Sequence, residues 1–324
     1  MPAAESGPDE RSSARSRLAV VWNVAAILLT IAAVVSVWRT LASGWDTSRE
    51  SLTAADGPLL ALALISAAAG VTWIAVTWRQ ALGLLGGSVT RGESVAWYYL
   101  GELGKYVPGG VWTVIGRSEL ARRGGVPRPA AYASVALSLA GLYLACATGA
   151  VALLPFALAR GGTPGLALAV LIVPPIGLAL LHPRVVTPVL EWGERRLRRS
   201  LGIRAPAWRD SVGLVARYGA AWVFIGTATW LVARALDPAA RWYDVCFATL
   251  LSWLVGFLVA PAPGGLGIRE ATFVAVVTLP SSTAAAIAVI ARLLFVLVDA
   301  TGALAAAATP QVRRLGRSRD RVPE

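Results

Sequence analysis

Twice in this chain a Pro-Gly-Gly interrupts sequence apolar enough for a membrane helix, and each time an arginine and a glutamate follow. The first stretch runs Gly101-Glu102-Leu103-Gly104-Lys105-Tyr106-Val107-Pro108-Gly109-Gly110-Val111-Trp112, with Arg117 and Glu119 beyond it. The second, about 155 residues later, is Ala260-Pro261-Ala262-Pro263-Gly264-Gly265-Leu266-Gly267-Ile268-Arg269-Glu270. Proline removes a backbone donor and clashes with the preceding turn, and paired glycines favour left-handed or extended backbone, so a helix breaks at each.

The surroundings are those of an integral membrane protein: 56% hydrophobic residues, 15% charged and a mean hydropathy of +0.63. The net charge of +12 does not point to nucleic acid, because the arginines lie between apolar segments and at the C-terminus, as topology signals and lipid-headgroup contacts do. Lys105, inside the first motif, is the only lysine. Cys146 and Cys246 are isolated and His182 is the sole histidine, so no metal or other cofactor is expected.

A membrane-crossing helix needs roughly 20 mainly apolar residues. Six stretches qualify: residues 18–41, 58–78, 131–158, 164–181, 212–236 and 283–307. Residues 93–122 and 242–279 are long enough but broken at Pro-Gly-Gly. If both are re-entrant hairpins, one side receives twenty basic residues, including seven arginines from Arg184 to Arg209 and five from Arg313 to Arg321. The other receives Arg39, Arg49, Arg160, Arg234 and Arg241. That asymmetry satisfies the positive-inside rule, with both termini cytoplasmic. The fold expected is therefore all-α and polytopic, six full spans plus two re-entrant hairpins.

The same count exposes an inverted-topology repeat, the arrangement from which many secondary transporters build a central site. Repeat one covers about 58–158 and repeat two about 212–307, within a membrane domain of 18–307. Residues 1–17 are polar and expected to be a disordered cytoplasmic segment, 184–209 a basic interfacial helix with Trp192 at headgroup depth, and 308–324 a basic cytoplasmic tail. Trp38, Trp45, Trp73, Trp78, Trp97, Trp208 and Trp242 fall near span ends, as an aromatic belt would.

A backbone break at membrane depth is tolerated only where protein or a water-filled cavity satisfies the freed groups, so both motifs should line an interior cavity. The residues expected to bind there are Lys105, Pro108, Gly109, Gly110 and Arg117 from the first motif, and Pro263, Gly264, Gly265, Gly267, Arg269 and Glu270 from the second. Half-helices starting near Gly109 and Gly265 would turn positive N-termini toward a phosphate or carboxylate. Glu102, Glu119, Arg292 and Asp299 are supporting residues; Arg292 and Asp299, two turns apart on one face, pair either with each other or with the hairpins. Burying Arg or Lys in a bilayer costs at least ~2.5 kcal/mol, so charges at both breaks need a reason, whether function or internal ion pairs that pin the hairpins.

At these residues the chain resembles the lysylphosphatidylglycerol synthase transmembrane-region family, a flippase-like domain. The likeness rests on residues 104–112 with Arg117, on residues 263–270, and on Arg292, and it extends over roughly 18–307. In two-domain members the membrane part is thought to translocate an aminoacylated phospholipid made by a cytosolic aminoacyltransferase domain. Here only a short basic tail follows the last span, so the resemblance implies lipid handling in a stand-alone bacterial or archaeal cytoplasmic-membrane protein without synthase activity.

The expected function is a flippase moving a phospholipid or polyprenyl-phosphate lipid by alternating access, its anionic headgroup held by Lys105 and Arg269. A cationic headgroup would instead meet Glu102, Glu119 and Glu270. The alternatives are an enzyme acting on a lipid-linked substrate, with Glu102, Glu270 and Asp299 as acid–base candidates, or a scaffold for a lipid- or glycan-modifying partner enzyme. Membrane lipids are the expected partners and nucleic acid is not. No ATP-binding P-loop is present.

Overall fold

A computed structural model describes residues 56–106, 111–159, 170–258 and 267–309. The expected span at 18–41, the N-terminal segment 1–17 and the tail from 310 onward lie outside the described residues, as do the centres of both breaks, including Pro108, Gly109, Gly110, Pro263, Gly264 and Gly265.

Repeat one consists of α1 (Gly57–Leu84), α2 (Arg91–Glu102) with a 3-10 turn at Leu103–Tyr106, α3 (Trp112–Arg123) and α4 (Arg128–Leu158). Then come α5 (Val173–Leu180) and α6 (Pro183–Leu197). Repeat two consists of α7 (Trp208–Leu236), α8 (Trp242–Leu258), α9 (Ile268–Val276) and α10 (Ser281–Ala308). Local signals set the boundaries. Asp56 caps α1 ahead of Pro58, Thr90 and Glu93 form a reciprocal capping box at the start of α2, and Pro127 and Pro280 precede α4 and α10. Among the described residues all regular structure is helical.

Four helices, α1, α4, α7 and α10, are long and apolar enough to cross a membrane. The expected span at 164–181 is different in its described part: α5 is only eight residues, and a 56° bend separates it from α6, so the two make a fifth crossing only if taken together. The helix expected at the interface over 184–209 is shorter than that range. It stops at Leu197 in a left-handed Arg198, and Arg209 belongs to α7.

Both broken segments are hairpins. In the first, α2 and α3 pack along each other, and the chain leaves beside where it entered, with Gly87 against Val126. In the second, the Thr278 backbone N–H and hydroxyl both donate to Asp244 Oδ2, at 3.1 and 2.7 Å, closing the base between α8 and the end of α9.

The repeats are inverted. Ser66 Oγ donates to the Phe224 carbonyl and Trp73 Nε1 to the Arg217 carbonyl, while Asp56 N–H reaches the Ala235 carbonyl, so residue numbers rise on α1 as they fall on α7. The two helices run antiparallel, and Gly70 brings α1 onto Ile225 and the Ala221 backbone. Further packing pairs have counterparts: α2 with α10 and α8 with α4, α1 with α10 and α7 with α4, α3 with α4 and α9 with α10. Each hairpin thus leans on the last helix of the other repeat.

The tryptophan belt is only partly a belt. Trp73 and Trp242 are exposed at their faces, but Trp78 and Trp97 are core residues with 0% and 1% exposure, and Trp78 Nε1 donates to Ser134 Oγ. Trp38 and Trp45 lie outside the described residues.

Candidate functional site

The charged residues of the two motifs form two clusters of common plan. In the first, the Arg117 side chain from α3 lies against Gly101 of α2, where a Cβ would collide with it, and its guanidinium sits 4.8 Å from the Tyr98 ring and 5.9 Å from that of Trp78. In the second, Arg269 from α9 lies against Gly256 of α8, and its guanidinium sits 3.4 Å from the Trp253 ring. Each arginine therefore has a glycine for its stem and an aromatic face one turn earlier for its charge. Cation–π contact stabilises each by ~0.5–2 kcal/mol, the upper end where water is excluded.

Sequence reasoning missed these seats, although a signal existed. Aligning the motifs on Pro108 and Pro263 puts Gly101 and Gly256 at the same distance upstream, and likewise Tyr98 and Trp253. Helical spacing then sets ring and glycine on one face.

The clusters differ in charge. In the first, Lys105 Nζ lies 2.6 Å from Asp299 Oδ2 and 3.2 Å from Glu102 Oε2, Tyr106 OH donates to Asp299 Oδ2 at 2.7 Å, and Arg117 is 3.7 Å from Glu102 Oε1. Two cations face two carboxylates, and Asp299 is 1% exposed. This cluster ties the first hairpin to α10 of repeat two.

In the second cluster, Arg292 of α10 donates to Glu270 Oε1 at 2.7 Å, and Glu270 Oε2 accepts the Gly267 N–H at 2.6 Å. Gly267 takes φ +79°, a conformation that favours glycine. Both carboxylate oxygens are thus engaged by Arg292 and Gly267, so this cluster has two cations to one carboxylate. Arg269 has no ion pair among the described residues, and its buried Nε has no hydrogen-bond partner there. It borders a cavity of about 30 Å³ lined also by Thr229, Thr249, Ser252 and Arg292, room for about one water. Tyr143 of α4 lies within electrostatic reach of Arg269, Glu102 and Arg117, members of both clusters.

The supporting residues are sorted accordingly. Arg292 and Asp299 bind the hairpins, not each other. Glu119 does not join the interior: it pairs with Arg122 at 2.6 Å and Arg123 at 3.2 Å at the basic end of α3, and Arg122 first, then Arg123, hold its carboxyl down at about 2. The half-helices begin later than expected, at Trp112 and Ile268, and the carboxylate at the start of α9 is the chain's own Glu270. Among the described residues no group of His, Cys, Asp or Glu has the makings of a metal site.

Both clusters fall within the stretch that a comparison with known families matches. The model of the lysylphosphatidylglycerol synthase TM region matches residues 22–301. This chain belongs to that family. The match takes in both hairpins, both arginine seats, Arg292 and Asp299, and places the chain among lipid-related, multi-pass membrane proteins. A search of curated proteins finds no match to it.

Proposed function

We propose that this member of the lysylphosphatidylglycerol synthase TM-region family is a transporter that moves a lipid with an anionic headgroup between leaflets, with Arg269 as the group that receives the headgroup. The observation that carries this is the unequal charge of the two clusters. Lys105, Arg117 and Arg292 each have a carboxylate within 4 Å, whereas Arg269 has none among the described residues. Holding such a cation at membrane depth costs at least ~2.5 kcal/mol, a cost that a phosphate offsets once the cavity, which has room for about one water in this closed form, widens to admit it. Trp253 fixes the guanidinium in place, so little side-chain freedom is lost on binding.

Movement follows from the frame. The antiparallel contact of α1 with α7 is the pivot, and the Lys105–Asp299 bond is the link between the first hairpin and repeat two that must loosen as one repeat rocks on the other. A phosphate that reaches Lys105 competes with Asp299 for its ammonium, which couples headgroup entry to opening.

The test is lipid scrambling in proteoliposomes, read with fluorescent lipids and a membrane-impermeant quencher across a headgroup series. Wild-type protein is expected to move phospholipid or polyprenyl-phosphate well above protein-free liposomes, and Arg269→Ala to abolish the gain. Rates equal to protein-free liposomes for every lipid would overturn the transporter and favour a scaffold for a lipid- or glycan-modifying enzyme. Covalent change of the labelled lipid would favour an enzyme instead.

A further inference from the structure

A second feature, away from the arginine seats, speaks to where a lipid rests before it moves. A groove of about 640 Å³ opens between α1, α2 and α10, lined by Ala68, Val95, Tyr99, Gly302 and Ala305, with Arg91 at one end. That volume lies in the range of small-molecule sites. Along α2 the groove runs from Arg91 to Tyr99, ~12 Å at 1.5 Å per residue, close to the ~15 Å that half the hydrocarbon core spans. The groove therefore has the depth of one leaflet. Its inner end is closed by Tyr99, whose ring packs on Gly302 and whose hydroxyl bonds Thr72 at 3.0 Å. The pseudo-equivalent junction of α4, α7 and α8 is filled in, with Leu250 against Gly149 and Cys246 against Gly226. The two junctions thus differ in which side chains close them among the described residues.

The outer end selects the occupant. The Arg91 side chain is exposed and makes no ion pair among the described residues. It lies at the basic end of repeat one, with Arg79, Arg122, Arg123 and Arg128. The chain's own apolar run at 18–41 is a poor match for this groove, because Arg11, Arg15 and Arg17 at its start would meet Arg91 with like charge.

From depth, volume and charge we propose that this groove holds one hydrocarbon chain of an anionic phospholipid drawn from the basic-side leaflet, with its phosphate at Arg91. The site rests on the lipid-handling reading but not on Arg269; it is a resting position ahead of the interior seats.

The experiment uses the full chain in phosphatidylcholine liposomes carrying a small fraction of phosphatidylglycerol with a photoreactive group on its acyl chain, and labelled residues are mapped after illumination. Labelling is expected to concentrate on Val95 and Ala305. Arg91→Ala should lower it about fivefold, the worth of one surface arginine near an anionic lipid. Ala305→Phe, at an exposed position, should block the groove and lower it at least as much, while Leu304→Phe on the neighbouring exposed face should leave it unchanged. Arg269→Ala should keep the labelling while losing transport, which separates failure of this site from failure of the headgroup seat. Equal labelling of Leu293, Leu297 and Leu304, or labelling by a photoreactive phosphatidylcholine as strong as by phosphatidylglycerol, would overturn the proposal. So would disulfide trapping of residues 18–41 by cysteines placed at Val95 or Ala305.

Discussion

The two hairpins share a backbone plan and differ in charge. In both, a glycine and an aromatic ring on the first arm seat an arginine from the second. Around Arg117 the charges balance and the group is locked, 2% exposed, under Tyr98 and Trp78. Around Arg269 they do not balance, because Glu270 is held by Arg292 and by the Gly267 N–H. In the proposed function, two copies of one seat have separated into a structural clamp and a cation kept available. Symmetry provides the frame, and in the function proposed above the departure from it marks the side that receives the headgroup.

The largest expected effect comes from removing the carboxylate that keeps the second cluster from being wholly cationic. Glu270→Ala strands Arg292, adds to the excess charge around Arg269 and frees the Gly267 N–H, so it should cost about 3–5 kcal/mol, read as thermal unfolding in detergent. Next comes the comparison of the arginines themselves. Arg117→Ala empties a fully enclosed site and should cost about 3 kcal/mol. Arg269→Ala gives up the stacking on Trp253 but also an unpaired charge, so the terms offset to within ~1 kcal/mol while lipid movement falls at least about tenfold. Equal destabilisation by the two alanines, with equal loss of transport, would remove the distinction between clamp and seat.

Much of this was legible in the sequence, for definite reasons. The four long spans follow from apolar length, and the hairpins follow from Pro-Gly-Gly combined with the arginine count, since helix breakers and topology charges act locally. The fold's inversion was likewise written in connectivity. Partner choice was not. Whether Glu270 faces Arg269 or Arg292, and whether Asp299 meets Arg292 or Lys105, depends on how α9 and α10 cross, which residue spacing along one helix does not determine. Trp78 and Trp97 misled for a related reason: position near a span end suggests an interface, but the first hairpin covers both rings, and Trp97 lies directly on Gly124. Glu119 sits two residues from Arg117 on α3, a spacing that turns it away from its neighbour, toward Arg122 and Arg123.

The glycine seats allow a finer test of equivalence. A methyl at Gly101 or Gly256 would meet the stem of Arg117 or Arg269, so each Gly→Ala change should cost about 1–3 kcal/mol through forced displacement. Arg117 is enclosed and has nowhere to go, whereas Arg269 adjoins a cavity. Gly101→Ala should therefore be the more destabilising of the two, and Gly256→Ala the more damaging to transport, since it shifts the cation off Trp253. The smallest effect is expected outside both seats. Glu119 is solvated, and its folded pKa is depressed to about 2, so whatever its pairs with Arg122 and Arg123 contribute is fully present above the ordinary carboxylate range, declines as pH falls below that range and is lost once pH has fallen through about 2. Exposed pairs of this kind rarely matter measurably. Glu119→Gln should leave the neutral-pH melting temperature and lipid movement at wild-type values. A marked loss of movement in that variant would place a carboxylate in the transport path and turn the comparison of the two arginine seats toward a cationic headgroup.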